Sequence, residues 1–361
     1  ASKLIKKGFT INVEANAGFN AGFTNSQFEK AGAKVVENLE ELYSNADIVL
    51  KVQRPIENPV LNKHELDLMK EGTLLITFMY ALHYSDLASK CAEKKINVIS
   101  MDTIPRTSLA QKMDALSSQA NIAGYKSVLM TANELGKIFP LMMTAAGTIQ
   151  PARVVIMGAG VAGLQALGTA RRLGAIVEVS DIRPAVKEEV LSLGGRFIEV
   201  DTDEDMQDEG GYAKEASEEF LLKQKELIFK HVTEADIVIT TALIPGKKAP
   251  ILITEEMIKN MRPGSVVLDM AVEFGGNCEI SELGVTVVKH DVKIIGEPNL
   301  PSLVATNASE VYAKNIMALL DHISVEGKIE LNLDDEIVKG SLLTYGGEIV
   351  NERVKEKLSK V

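Results

Sequence analysis

The feature that most limits what this chain can fold into is an alternation. Runs of Val, Ile and Leu, bounded by Gly, Pro, Asn or Asp, recur between helix-length segments almost from end to end. The expected strands are 10–14, 48–52, 74–78, 97–100, 153–157, 176–180, 196–199, 237–241, 265–269 and 293–295. Continuous apolar runs separated by helices suit parallel strands covered on both faces. The chain therefore reads as α/β, built from doubly wound sheets. Its 361 residues fit two domains at roughly 150 residues each. Asn45-Ala-Asp-Ile-Val-Leu-Lys-Val and Glu234-Ala-Asp-Ile-Val-Ile-Thr-Thr echo one another, as the same position in two α/β units would. Two long proline-free helical stretches, 109–139 and 308–322, are placed to join the domains twice. The expected division is a discontinuous first domain, 1–120 plus 307–361, and a second domain, 121–306. A ligand cleft is expected between them.

One of these strands carries a fingerprint. Strand Arg153-Val-Val-Ile-Met157 runs into Gly158-Ala-Gly160-Val-Ala-Gly163 and then a helical segment, 164–173. A bare glycine pattern of this kind is weak. Here a strand precedes it, a helix and strand 176–180 follow it, and an acid, Asp181, stands 18 residues beyond Gly163. That is the context of a Rossmann-like dinucleotide site. Gly158 permits the tight turn, Gly160 lets a pyrophosphate approach the backbone, and Gly163 lets the helix pack on the strand. The helix N-terminus offers free N–H groups to phosphate. Asp181 favours NAD(H) over NADP(H), because a carboxylate accepts ribose hydroxyls and repels a 2′-phosphate. Arg183, two residues on, complicates that preference.

Composition removes other classes. Asp and Glu outnumber Lys and Arg by 50 to 39, a net charge of −11 that argues against a general nucleic-acid binder. Cys91 and Cys278 form no disulfide framework, and neither they nor the five scattered histidines show metal-ligand spacing, so no metal is expected. No apolar run approaches the ~20 residues of a membrane span, and no secretory or transit signal is visible at the start.

Four stretches carry a family resemblance: Pro105-Arg-Thr-Ser-Leu-Ala-Gln-Lys-Met-Asp-Ala-Leu-Ser-Ser-Gln-Ala-Asn-Ile-Ala-Gly-Tyr125; the glycine loop; Gly210-Gly-Tyr-Ala-Lys214; and Thr240-Thr-Ala-Leu-Ile-Pro-Gly-Lys-Lys-Ala-Pro250 with Gly275-Gly-Asn-Cys-Glu279. Together they resemble the NAD(H)-binding component, domain I or alpha subunit, of proton-translocating, Re/Si-specific NAD(P) transhydrogenases, within the alanine dehydrogenase superfamily. The resemblance covers essentially the whole chain. It implies direct hydride transfer from NADH to NADP⁺ held on a partner NADP(H)-binding domain, coupled to proton translocation by a separate membrane domain. It implies a homodimer, and a soluble domain on the cytoplasmic or matrix-equivalent face of a membrane-bound complex. It implies that Arg106, Gln111, Asp114 and Ser117 are the catalytic loop holding the nicotinamide and its ribose, with Asp114 able to orient Arg106. Val161 should lie under the pyrophosphate and Leu243 beside the nicotinamide. Ile182 and Arg183 join Asp181 at the adenosine end, and the acidic segment 201–212 should be a lid closing Gly211 and Tyr212 over the nucleotide. The family pattern begins with a further strand and an Arg-Val-Ala segment; this sequence starts within the helix that follows.

Two rival functions make different demands. An alanine dehydrogenase must move protons on an amine and activate water, which needs a positioned Lys or His. Its family carries a lysine where Lys51-Val-Gln53-Arg-Pro55 has Gln53, and a histidine where Thr77-Phe-Met-Tyr80 has Tyr80. His83 is then a displaced base or a satisfied loop histidine, and Glu273 stands where that family has its aspartate. Hydride exchange between two nicotinamides moves no proton at the reacting carbons and asks only for two rings about 3–3.5 Å apart with water excluded. The second rival is a non-catalytic NAD-binding module.

Overall fold

The computed structural model describes residues 1–199, 218–325 and 328–360. It divides into two compact units. The first comprises Ala1–Gln119, Pro245–Lys247 and Val304–Val361; the second comprises Ala120–Ile244 and Lys248–Leu303. The chain passes from the first to the second inside one helix, Ala115–Glu134.

The second unit is a seven-stranded sheet. In chain order its strands are β1 (Arg153–Met157), β2 (Ile176–Ser180), β3 (Arg196–Phe197), β4 (Ile237–Thr240), β5 (Val266–Asp269), β6 (Thr286–Lys289) and β7 (Val292–Ile295). Their spatial order is 3-2-1-4-5-7-6. All neighbours pair in parallel except β6 with β7. Side chains alternate across a strand, and here both sides are buried. Val154, Ile156, Val177, Val179, Ile237, Ile239 and Leu268 enter one core; Val155, Met157, Val238, Val267 and Ile294 enter another. That double burial is why these strands read as unbroken apolar runs. The strand order reverses between β1 and β4, and the crevice outside the carboxyl ends of strands at such a reversal is where ligands of open α/β sheets bind.

The first unit holds a smaller mixed sheet. Ile48–Leu50, Leu74–Thr77 and Asn97–Ser100 pair in parallel, and Leu342–Tyr345 adds antiparallel to Asn97–Ser100. Again Leu74, Ile76 and Ile99 face one core and Leu75 and Val98 the other. The two echoing segments both become parallel strands after a helix. However, Ile48–Leu50 lies at a sheet edge while Ile237–Thr240 is interior.

Three expectations need correction. The helical stretch expected over 109–139 is a 3-10 turn, Ala110–Met113, followed by a helix that stops at Glu134. Gly136 follows, and Lys293 on β7 bonds both the Glu134 carbonyl and its carboxylate at 2.9 Å, satisfying that helix end. The helix after the glycine loop starts at Val161 rather than residue 164. Strands β6 and Leu342–Tyr345 were not expected, and both are antiparallel additions to parallel sheets. Among the described residues no helix is long and apolar enough to cross a membrane.

Candidate functional site

The glycine loop sits at the carboxyl end of β1, at the strand-order reversal. Gly158 takes φ +110°, open to glycine but costly for other residues, and a Cβ there would lie 2.5 Å from Thr241 Oγ1. Its N–H donates to the Ser180 carbonyl at 2.8 Å, tying the loop to β2. Gly160 is the helix N-cap. The first intrahelical bond runs from Leu164 N–H to Gly160 C=O at 2.9 Å, so the preceding N–H groups sit at the helix mouth, where an anion is stabilised. A Cβ on Gly160 would meet nothing within 4 Å, so the backbone stands open on the side a pyrophosphate would use.

Asp181 is tied into this loop. Its Oδ2 accepts the Ala159 N–H at 2.7 Å and its Oδ1 accepts the Arg183 N–H at 2.8 Å. The Arg183 guanidinium adds Nε to Oδ1 at 2.9 Å and Nη2 to Oδ2 at 3.0 Å. Burial alone would raise this carboxyl's pKa. The Arg183 side-chain bonds, the two backbone N–H bonds and the guanidinium charge outweigh burial and hold it below the ordinary carboxylate range. Asp181 is therefore an anion at neutral pH. Val161, Ile182, Leu243 and Ile244 leave apolar surface exposed, with Ile182 at 91%. Val161, Ile182 and Leu243 each follow the carboxyl end of a neighbouring strand: β1, β2 and β4.

The loop carrying Leu243 is held by residues that sequence reasoning left unassigned. Buried Asp269, at the end of β5, accepts the Asn277 and Cys278 N–H groups at 2.9 and 3.0 Å, the Ser281 hydroxyl at 2.7 Å, the Ala271 N–H at 2.9 Å and the Thr240 hydroxyl at 3.2 Å. Asn277, fully buried, then accepts the Ala242 N–H at 3.0 Å and donates to the Ala242 and Pro250 carbonyls at 2.9 and 2.8 Å. Their sequence signal was the Gly-Gly-Asn stretch itself: two residues at φ +102° and +75° turn the chain so that Asn277 faces inward. Asn277→Ala strands buried polar groups and is expected to cost about 1–3 kcal/mol in urea unfolding. Gly124 was also missed. A Cβ there would lie 2.1 Å from the Ala162 carbonyl, so this glycine lets the helix Ala115–Glu134 touch the start of the glycine-loop helix.

In the first unit, the segment 105–117 is anchored by buried residues and leaves Arg106, Leu109 and Gln111 exposed. Ala110, Met113 and Ala115 are buried, and Asn315 donates to the Lys112 carbonyl at 2.9 Å. Asp114 corrects one expectation: among the described residues it makes no ion pair with Arg106. Its Oδ1 accepts the Ser117 N–H at 2.8 Å, capping the helix Ala115–Glu134. Ser117 is half-buried at that first turn. Gly211, Tyr212 and the expected lid 201–212 lie outside the described residues.

The positions that would serve amino-acid chemistry are otherwise engaged or lack a base. The Gln53 side chain is exposed, while its carbonyl accepts the Thr77 hydroxyl at 2.8 Å. Tyr80 stacks on Phe78 with centroids 5.8 Å apart. His83 Nε2 accepts the Gly246 N–H at 3.0 Å, which makes it a loop histidine whose acceptor nitrogen is in use. Glu273 is half-buried in the 3-10 turn Val272–Phe274. Burial pushes the Cys91 thiol up to about 12 and Cys278 to about 11, so both buried thiols favour the neutral form.

The N-terminal domain of the alanine dehydrogenase/PNT family matches residues 1–123 and its C-terminal domain residues 127–352. The first portion of the NAD(P) transhydrogenase alpha subunit of Rhodospirillum rubrum is 49% identical over 354 residues, covering 97% of this chain and 92% of that protein. The crystal structure of transhydrogenase from Sinorhizobium meliloti matches with a TM-score of 0.85 at 42% identity, covering 97% of this chain and 95% of that one. An L-alanine dehydrogenase structure matches with a TM-score of 0.79 at 27% identity, covering 99% and 93%. The chain thus belongs to the alanine dehydrogenase/PNT family, and within it to the group of NAD(P) transhydrogenase alpha subunits.

Proposed function

We propose that this chain is the NAD(H)-binding component of a proton-translocating, Re/Si-specific NAD(P) transhydrogenase, an oxidoreductase that passes hydride from NADH to NADP⁺ held on a partner domain. The observation that carries this reading is the glycine loop at the β1/β4 reversal with Asp181 bonded to it. Gly158, Gly160, Val161 and Gly163 hold the pyrophosphate at the helix mouth. Asp181, with Ile182 and Arg183 beside it, takes the adenosine ribose. Leu243 packs against the nicotinamide, while Arg106, Gln111, Asp114 and Ser117 orient that ring and its ribose.

The chemistry asks little of ionisable groups. Direct hydride exchange leaves no proton to place at either reacting carbon, so the chain's work is to orient one ring and exclude water. The exposed Gln53 and the stacked Tyr80 agree with that and disfavour alanine oxidation. The partner NADP(H)-binding domain, a membrane domain that conducts the protons, and a homodimeric state complete the proposal.

The test is steady-state hydride exchange between NADH and an NADP⁺ analogue, with and without the NADP(H)-binding component. Exchange that requires the partner supports the reading. NADH oxidation by pyruvate and ammonia with this chain alone would instead identify an alanine dehydrogenase, and NADH binding without exchange to any partner would identify a binding module. Asp181→Asn removes the charge from the ribose acceptor and is expected to weaken NADH binding about tenfold in a fluorescence titration.

A further inference from the structure

Every acceptor position on Asp181 is already taken. A carboxylate offers about four lone-pair sites. Oδ1 holds the Arg183 N–H and Nε, and Oδ2 holds the Ala159 N–H and Arg183 Nη2. The two backbone donors belong to the turn itself. The other two sit on a side chain that is 58% exposed, whereas the carboxylate beneath it is only 6% exposed. A ribose diol therefore reaches Asp181 only by displacing the guanidinium. Arg183 also feels Glu189 on the short helix Lys187–Ser192, so a second acid favours the charged arm on this side of the site.

We propose that Arg183 is a specificity-determining arm: it covers the ribose position of Asp181, yields it to a 2′,3′-diol, and is then available to a 2′-phosphate. The proposal deepens the NAD(H) reading and rests on it. For NADH the arm is a competitor; with the guanidinium exposed and the carboxylate buried, displacing it costs at least about twofold to fivefold. For NADPH the displaced guanidinium, tethered two residues from Asp181, meets the phosphate as a fork that suits it. Asp181 alone would reject the 2′-phosphate strongly; Arg183 narrows that rejection.

The experiment titrates the full chain and its R183A, R183K and D181N variants with NADH, NADPH, ADP-ribose and 2′-phospho-ADP-ribose. In R183A, NADH and ADP-ribose are expected to bind at least about twofold to fivefold tighter. The 2′-phosphorylated pair should bind about tenfold weaker or worse, as loss of a charge-assisted fork implies. R183K, which keeps the charge but not the fork, falls between. Equal weakening of both pairs in R183A, or an unchanged NADH/NADPH ratio, overturns the proposal. If wild type binds NADH and D181N binds it about tenfold more weakly while R183A keeps the ratio, only the role of Arg183 fails. A wild type that binds neither dinucleotide overturns the NAD(H) reading and this proposal together.

Discussion

Gly163→Ala is expected to abolish NADH binding at working concentrations and to destabilise the second unit, whereas Gly160→Ala should keep the fold and lose only the ligand. The two glycines stand three residues apart and differ in what their missing side chains spare. A Cβ at position 163 would lie 1.9 Å from the Gly158 carbonyl oxygen and 3.4 Å from Ile156 Cγ2. No rotamer relieves a clash that involves Cβ and backbone, so the helix must lift from β1. Overpacking of this kind costs about 1–3 kcal/mol or more. The lifted helix also carries its N–H groups off target, and a displacement near 1 Å costs about a hundredfold in function. At position 160 the fold has room for a methyl group, because nothing lies within 4 Å of its Cβ and φ is −79°. The pyrophosphate needs that same room. Thermal unfolding and NADH titration on both variants check the contrast; a Gly163→Ala protein as stable and as tight-binding as wild type would contradict the packing role.

Arg106→Ala and Gln111→Ala are expected to slow hydride exchange by tens-fold to about a hundredfold while leaving the fold intact, since misplacing a reacting ring costs on that order. Both side chains are exposed, and the segment between them is anchored by other residues: buried Ala110 and Met113 and the Asn315 bond to the Lys112 carbonyl. Neither substitution removes a core contact. Asp114→Ala differs, because the carboxylate caps the helix Ala115–Glu134, and its loss combines a functional effect with about 0.5–2 kcal/mol of stability. Stopped-flow exchange with the partner component present, paired with unfolding curves, separates these cases. Unchanged rates in Arg106→Ala and Gln111→Ala would remove the role assigned to the segment.

The parallel sheets were legible because double burial writes itself into composition: Val154 to Met157 alternates between two cores, so no polar residue breaks the run. Antiparallel β6 was not, since its residues alternate between exposed and half-buried positions and the Thr286-Val-Val-Lys289 run resembles a loop edge. The helix start at Val161 was hidden by Gly163, whose poor helix propensity is overridden by the need for close packing on β1. Asp114 shows a different limit. An aspartate before a helix serves equally as cap or ligand donor, and the choice is fixed by the position of the Ser117 N–H, which spacing alone does not give. Asp269 and Asn277 went unassigned for the same reason: their partners, Ala242, Pro250 and Ser281, are brought together only by the fold.

The central claim is that hydride passes directly from NADH on this chain to a second nicotinamide, with no ionisable catalyst in between. Single-turnover exchange with NADH deuterated at the transferring position of C4, in the presence of the NADP(H)-binding component, tests it most directly. The account predicts that the deuterium appears quantitatively on the NADP⁺-derived product with none lost to water. Deuterium washed out to solvent, or delivered to pyruvate-derived alanine by this chain alone, would contradict it.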